Sequence, residues 1–124
     1  MKIRYLVITA AILIASPVVA DDELNADEIK ALFTNKTFDI HNVENDKHLK
    51  GYDSEDGTHL VYIPWKDKTS KRKWWVDGNM HCTSHPKRGD NCKTMKHTGD
   101  GVYHGFSDGK HTHTLSNFRD GNQL

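Results

Sequence analysis

Long apolar runs are scarce in this chain, and the only conspicuous one lies at its start. Lys2 and Arg4 precede YLVITAAILIA, and SPVVA then places Val18 and Ala20 at the small-residue positions of a cleavage site. A helix that crosses a bilayer needs ~20 apolar residues, and acidic Asp21, Asp22 and Glu23 follow this stretch at once. Residues 1–20 are therefore expected to be a secretory signal peptide, leaving residues 21–124 as one small domain with no membrane span. No cysteine stands at the cleavage site, which argues against a lipoprotein. The expected address is the periplasm or the medium.

Other shortages exclude further classes. Lys and Arg total 17, and so do Asp and Glu, so no global field draws the chain to nucleic acid or to an anionic membrane. There is no Gly-x-Ser-x-Gly, no His-Glu-x-x-His and no glycine-rich phosphate loop. HCTSH is not a haem-attachment motif. No 20–50-residue repeat and no low-complexity tract occurs. Absent motifs do not disprove an enzyme, but a small exported β domain is more often a binding protein, and a small hydrolase is the weakest reading. Cysteine is rare too. Cys82 and Cys92 are the only two. In an exported chain of this size they most simply pair, closing a loop tipped by PKRGD. Arg88-Gly89-Asp90 then reads as a solvated turn rather than an adhesion motif.

What is present points to β structure. Asn25 followed by Glu28 forms a capping-box pattern, with Leu24 and Ile29 placed as a hydrophobic staple. Ile29, Leu32 and Phe33 make one apolar stripe, so a two-turn helix opens the domain. Short alternating runs follow: TFDIH, HLKGYD, THLVYIPW, KRKWWVD, NMHCTS, NCKTMKH, GVYHGF and HTHTLSNF. Asp-Gly occurs five times among the intervening turns, and glycine there accepts positive φ without penalty. Every connection is too short for a parallel crossover. The expectation is a mainly β domain in which the helix precedes an antiparallel meander of about eight strands. That number can close into a small barrel with the helix over one end. Alternation puts Val61, Ile63 and Trp65 on one face, and Trp74 with Val76 on another, while Trp75 points away. Val102 and Phe106 flank His104 on one face, opposite Tyr103. Strands this short leave a narrow interior that side chains can fill.

The order LNADEIKALFTNKTF, DGT, KRKWWVDGNMHC, a second cysteine, GDGVYHGFSDG and a closing FRDGN resembles a group of small secreted proteobacterial domains of unassigned activity. The resemblance spans residues 23–122 and implies a lipocalin-like or calycin-like barrel, with Cys82 and Cys92 joined between neighbouring strands. It implies no catalytic residue. Two departures stand out. Asn35 replaces the usual helix-ending glycine, a tolerable left-handed cap, and histidine is unusually dense.

The histidines raise the question of zinc or copper. His111 and His113, two apart on a strand, are expected on one face, with His104 on the neighbouring strand. The competing reading is surface histidine. Asp53, Glu55 and Asp56 read as a charged turn. Basic residues interleaved with Trp65, Trp74 and Trp75 offer an anion-binding surface, or else a basic hairpin tip over a barrel wall. A small molecule or a protein partner is expected to bind through rim loops, with Trp65, Trp74, Trp75 and Arg88 as candidate contacts.

Overall fold

A computed structural model describes residues 22–124; the expected leader lies outside them. Helix α1 (Ala26–Phe33) is followed by β1 (Lys36–Asn42), β2 (Lys47–Asp53), β3 (Thr58–Ile63), β4 (Lys68–Asp77), β5 (Met80–His85), β6 (Gly89–Gly99), β7 (Val102–Ser107) and β8 (Lys110–Asp120). Each strand pairs antiparallel with the next, and β8 pairs with β1 to close the barrel. Closure leaves no unpaired sheet edge. Among the described residues no helix is long and apolar enough to cross a membrane.

The helix forms where its caps predict. Asn25 Oδ1 accepts from the Glu28 amide, and Glu28 Oε1 accepts from the Asn25 amide, both at 2.9 Å. Asn35 ends it at φ 58°, the left-handed conformation that asparagine tolerates best after glycine. Ile29 and Phe33 are fully buried and close one barrel end together with Phe38, Trp74, Met95 and Leu115. The Phe33 ring meets Phe38 edge-on at 5.1 Å and Phe118 at 5.4 Å. All five Asp-Gly glycines have positive φ, from 59° to 91°. In the turns after β6 and β7 the aspartates, Asp100 and Asp108, are left-handed as well. That double-positive geometry matches the twist of a tight hairpin.

Two local differences from the sequence expectation have physical causes. Pro64 has no N–H to continue the β3 ladder, so a 3₁₀ turn, Pro64–Lys66, replaces the end of the run. Trp65 therefore leaves the inner face that Val61 and Ile63 keep and stands 51% exposed. On β7 the interior takes Gly105. A Cβ there would lie 3.2 Å from Lys93 Cδ and 3.5 Å from Met95 Sδ, so the missing side chain makes room for both neighbours. Gly51 does the same for Phe38, whose ring would sit 2.8 Å from an added Cβ.

Cys82 and Cys92 face each other directly across β5 and β6 and form a disulfide. Closing so short a loop stabilises by about 2–3 kcal/mol in the chain-entropy model.

Candidate functional site

The alternation that builds the wall also builds the interior. α1 fills the end that holds the β2–β3, β4–β5 and β6–β7 turns. At the other end the interior opens as a cavity of about 460 Å³. Its mouth lies between the β1–β2 hairpin (Asn45, Lys47), the 3₁₀ turn (Trp65, Lys66) and the β5–β6 turn (Pro86, Lys87, Arg88). The volume falls within the range of small-molecule sites.

One wall of the cavity is apolar and comes from β1–β3: Ile40, Leu49, Val61 and Ile63. The adjoining wall on β4 and the opposite wall on β6 carry basic residues. On β4, Lys68, Ser70 and Arg72 pair with Ile63, Val61 and His59 and so share their inward face. On β6, Lys93 pairs with His81 of β5, and both are buried. Seven lysines and arginines line the cavity or its mouth, and no aspartate or glutamate does. None of the seven makes an ion pair among the described residues. The chain as a whole carries no net charge, so this separation of sign is local.

The floor is a polar cluster under α1. Asp53 is fully buried, and its carboxylate accepts from both His59 Nδ1 and His81 Nε2, the latter at 2.7 Å. Burial pushes the Asp53 carboxyl up, but the hydrogen bonds it accepts from the two histidines outweigh it and hold the group below its ordinary range. Burial drives His81 down and the contact with Asp53 only partly offsets this, so His81 is neutral at pH 7. With Nε2–H given to Asp53, Nδ1 carries the lone pair. It is the one buried side-chain polar atom without a partner among the described residues. The ring stacks on Phe33 at 3.9 Å, which couples this cluster to the helix.

Lys93 sits beside the cluster, 8% exposed, with Nζ 3.2 Å from Asn91 Oδ1. Burial, partly opposed by Asp53, lowers its amine to about 8. Burial, with Lys93 adding to it, lowers His113 to about 4, so this cavity-lining imidazole is neutral at pH 7. Both imidazoles of the floor are committed to Asp53, and no serine, threonine or cysteine side chain bonds to either among the described residues. The arrangement presents a fixed amine and the uncharged imidazoles of His81 and His113 to a partly apolar chamber.

The residues singled out from sequence scatter over this frame. Trp65 stands at the mouth, with Lys47 Nζ 4.5 Å from its ring centroid. Arg88 is on the facing rim. Trp74 is core, and its Nε1–H donates to the Ser54 carbonyl at 2.8 Å. Trp75 lines a groove on the outside, with Asp56, Lys73 and Pro86. His104 and His111 stack at 3.9 Å, but His113 lines the interior. The cause is a register shift: Gly105 pairs with His113, yet Phe106 pairs with His111, so Thr112 is an extra residue. Such a bulge reverses the alternation and sends the two histidines to opposite faces. Ligand atoms do converge elsewhere. His41 and His48 face each other across β1 and β2, and Asp46 in their turn brings three candidate atoms within 4.8 Å of one another. His41 Nε2 lies 2.8 Å from Asp46 Oδ1, and His48 Nε2 lies 3.9 Å from it.

Asp53, assigned by the sequence to a charged turn, is instead buried, and no motif spacing links it to His59, His81 and Lys93. One signal was there. His59 falls two residues before Val61 and four before Ile63, so alternation alone places it inside. No family model, curated protein or solved structure matches the chain, so its function is argued from this geometry and from its residues.

Proposed function

We propose that this protein is an exported, non-catalytic carrier or receptor that holds a small molecule inside its barrel. The observation that carries the reading is the cavity of about 460 Å³, open at one end and sealed by α1 at the other. A barrel that needed only to be stable would fill this space, since every unfilled void costs packing energy. The leader-like residues 1–20 and the disulfide support a periplasmic or secreted location, where disulfides persist. The resemblance to small secreted lipocalin-like domains of proteobacteria points the same way.

Two fluorescent probes test this: N-phenyl-1-naphthylamine, which is neutral, and its 8-sulfonate, 1-anilinonaphthalene-8-sulfonate. At least one of them is expected to bind saturably near one equivalent, and Ser70→Trp, which places an indole on the inner wall, is expected to abolish that binding. Saturable binding of neither probe, or binding indifferent to Ser70→Trp, would overturn the proposal.

A metal-binding role is the second reading, and His41, Asp46 and His48 give it a location. Two imidazoles and a carboxylate suit Zn²⁺ or Cu²⁺ with solvent completing the shell. Zinc titration of untagged protein is expected to show one equivalent bound, lost in His41→Ala/His48→Ala and retained in His104→Ala/His111→Ala. Retention in the first variant would remove the site.

A further inference from the structure

We propose that the barrel ligand is an organic acid with an apolar body, its acidic head on the Lys93 side of the cavity and its body against Ile40, Leu49, Val61 and Ile63. This rests on the cavity being a ligand site and names the class of molecule that fits it.

Three independent features lead there. The first is the sorting of charge. Basic side chains line the cavity and its mouth and no carboxylate does; Asp53, buried beneath the floor, is committed to His59 and His81, and no ion pair among the described residues neutralises those cations. The chain as a whole has as many acids as bases, so the excess of cations around the cavity is local. Unpaired cations converging on a half-enclosed space focus a positive potential within it. A neutral ligand would not use that potential.

The second is that the Lys93 position is built. Lys93 is 8% exposed, and the only hydrogen-bond partner of its amine among the described residues is a neutral amide oxygen on Asn91. Gly105 leaves space for its stem, since a Cβ there would crowd Lys93 Cδ at 3.2 Å. A lysine in this setting has donors to spare and little water, which suits an anion that supplies the missing acceptors. Arg72 on the adjoining wall is likewise without an acid, its Nε–H donating to the Ser70 hydroxyl at 3.2 Å.

The third is that the two walls differ. Strands four apart in an eight-stranded barrel face each other, so β1–β3 oppose β5–β7. The apolar wall therefore looks across at the side bearing His81 and Lys93. Inorganic phosphate or sulfate would leave the apolar wall uncovered. A neutral lipid would leave the cations desolvated and unpaired. An amphipathic acid satisfies both walls. His113, uncharged, can donate or accept beside the head without adding to the field.

The two naphthalene probes share one body and differ by a sulfonate, which isolates the head. The sulfonate is expected to bind at least tenfold tighter than the amine. Lys93→Met is expected to bring the two within about threefold of each other, and Arg72→Met to reduce the preference severalfold. Thermal melts confirm that each variant is folded. Inorganic phosphate, at matched ionic strength, is expected not to displace the sulfonate. Equal binding of the two probes by the unmodified protein would overturn the acid-head inference while leaving the cavity reading intact. An undiminished sulfonate preference in folded Lys93→Met would overturn the assignment of the head to this side. Displacement by phosphate would show a site for free anions instead. If neither probe binds, the cavity reading itself has failed.

Discussion

Replacing Asp53 with alanine is expected to lower the unfolding free energy by about 3–5 kcal/mol, the usual cost of breaking a buried, hydrogen-bonded charge network. The carboxylate is the acceptor for two buried N–H groups, His59 Nδ1 and His81 Nε2. Alanine leaves both donors stranded and removes the negative charge that favours protonated Lys93. Urea unfolding at several pH values checks this and also reads out the acid limb of stability. The Asp53 carboxyl is held below its unfolded value, so its contribution is present above about pH 4 and is lost only as pH falls through the lower folded value. His81 and His113 are also shifted downward, His113 to about 4. In the unfolded chain these imidazoles take up protons near 6.5, whereas the folded protein refuses them. Stability is therefore expected to decline as pH falls from about 6.5 towards 4, by up to ~1.4 kcal/mol per unit for each imidazole that stays neutral. The gap between the original protein and Asp53→Ala should persist at pH 5 and narrow below pH 4. A gap below 1 kcal/mol at pH 7 would mean that the Asp53 cluster does not hold the barrel floor together.

Lys93→Met is expected to do the reverse and stabilise the protein by about 3 kcal/mol at pH 7, since a buried amine lowered from 10.5 to about 8 has been charged against its surroundings. The sign follows from linkage. Between pH 8 and 10.5 the unfolded lysine keeps its proton and the folded one releases it, so stability rises with pH across that window. Most small domains lose stability as alkali deprotonates their ion pairs; this one should gain it, and Lys93→Met should flatten the rise. Denaturant midpoints at pH 7 and pH 9.5 decide the matter. A variant that unfolds more easily than the original at pH 7 would show that Lys93 is a structural support. The expected pattern, greater stability with loss of anion preference, is the trade often found where a binding site is held in a costly state.

The architecture was legible because each of its determinants is local. Asn25 with Glu28 set the helix start, the Asp-Gly pairs set the turns, and period-two alternation set the strands. The Cys82–Cys92 disulfide followed from count and context. The site was harder to read for the same reason that the fold was easy. Asp53 and His59 flank a turn rich in polar residues, and in sequence they look like part of it; alternation with Val61 and Ile63 turns His59 inward, and the pairing Asp53↔His59 carries Asp53 in beside it. His81 and Lys93 become neighbours through the β5–β6 register. The His104, His111 and His113 grouping failed on a single extra residue, Thr112, because bulges leave little trace in residue type. Trp65 was misplaced by extending a strand through Pro64, where the missing amide was the warning.

The β1–β8 seam has a consequence for how the chain acquires its structure. The first strand is completed by the last. Thr37 Oγ1–H donates to the Gly121 carbonyl at 2.6 Å, the Gly121 amide donates to the Asn35 carbonyl at 2.8 Å, and the Gln123 amide donates to Thr37 Oγ1 at 2.9 Å. Leu115 and Phe118 of the last strand also complete the aromatic floor on which α1 rests. A ribosome delivers the N-terminal half long before these partners exist. Contacts of such long sequence separation form late and slowly, so a nascent chain lacking its final dozen residues has an open sheet and an uncovered floor. The barrel therefore closes only once β8 is available to pair with β1, and the cover over the floor is complete only when the last strand is in place.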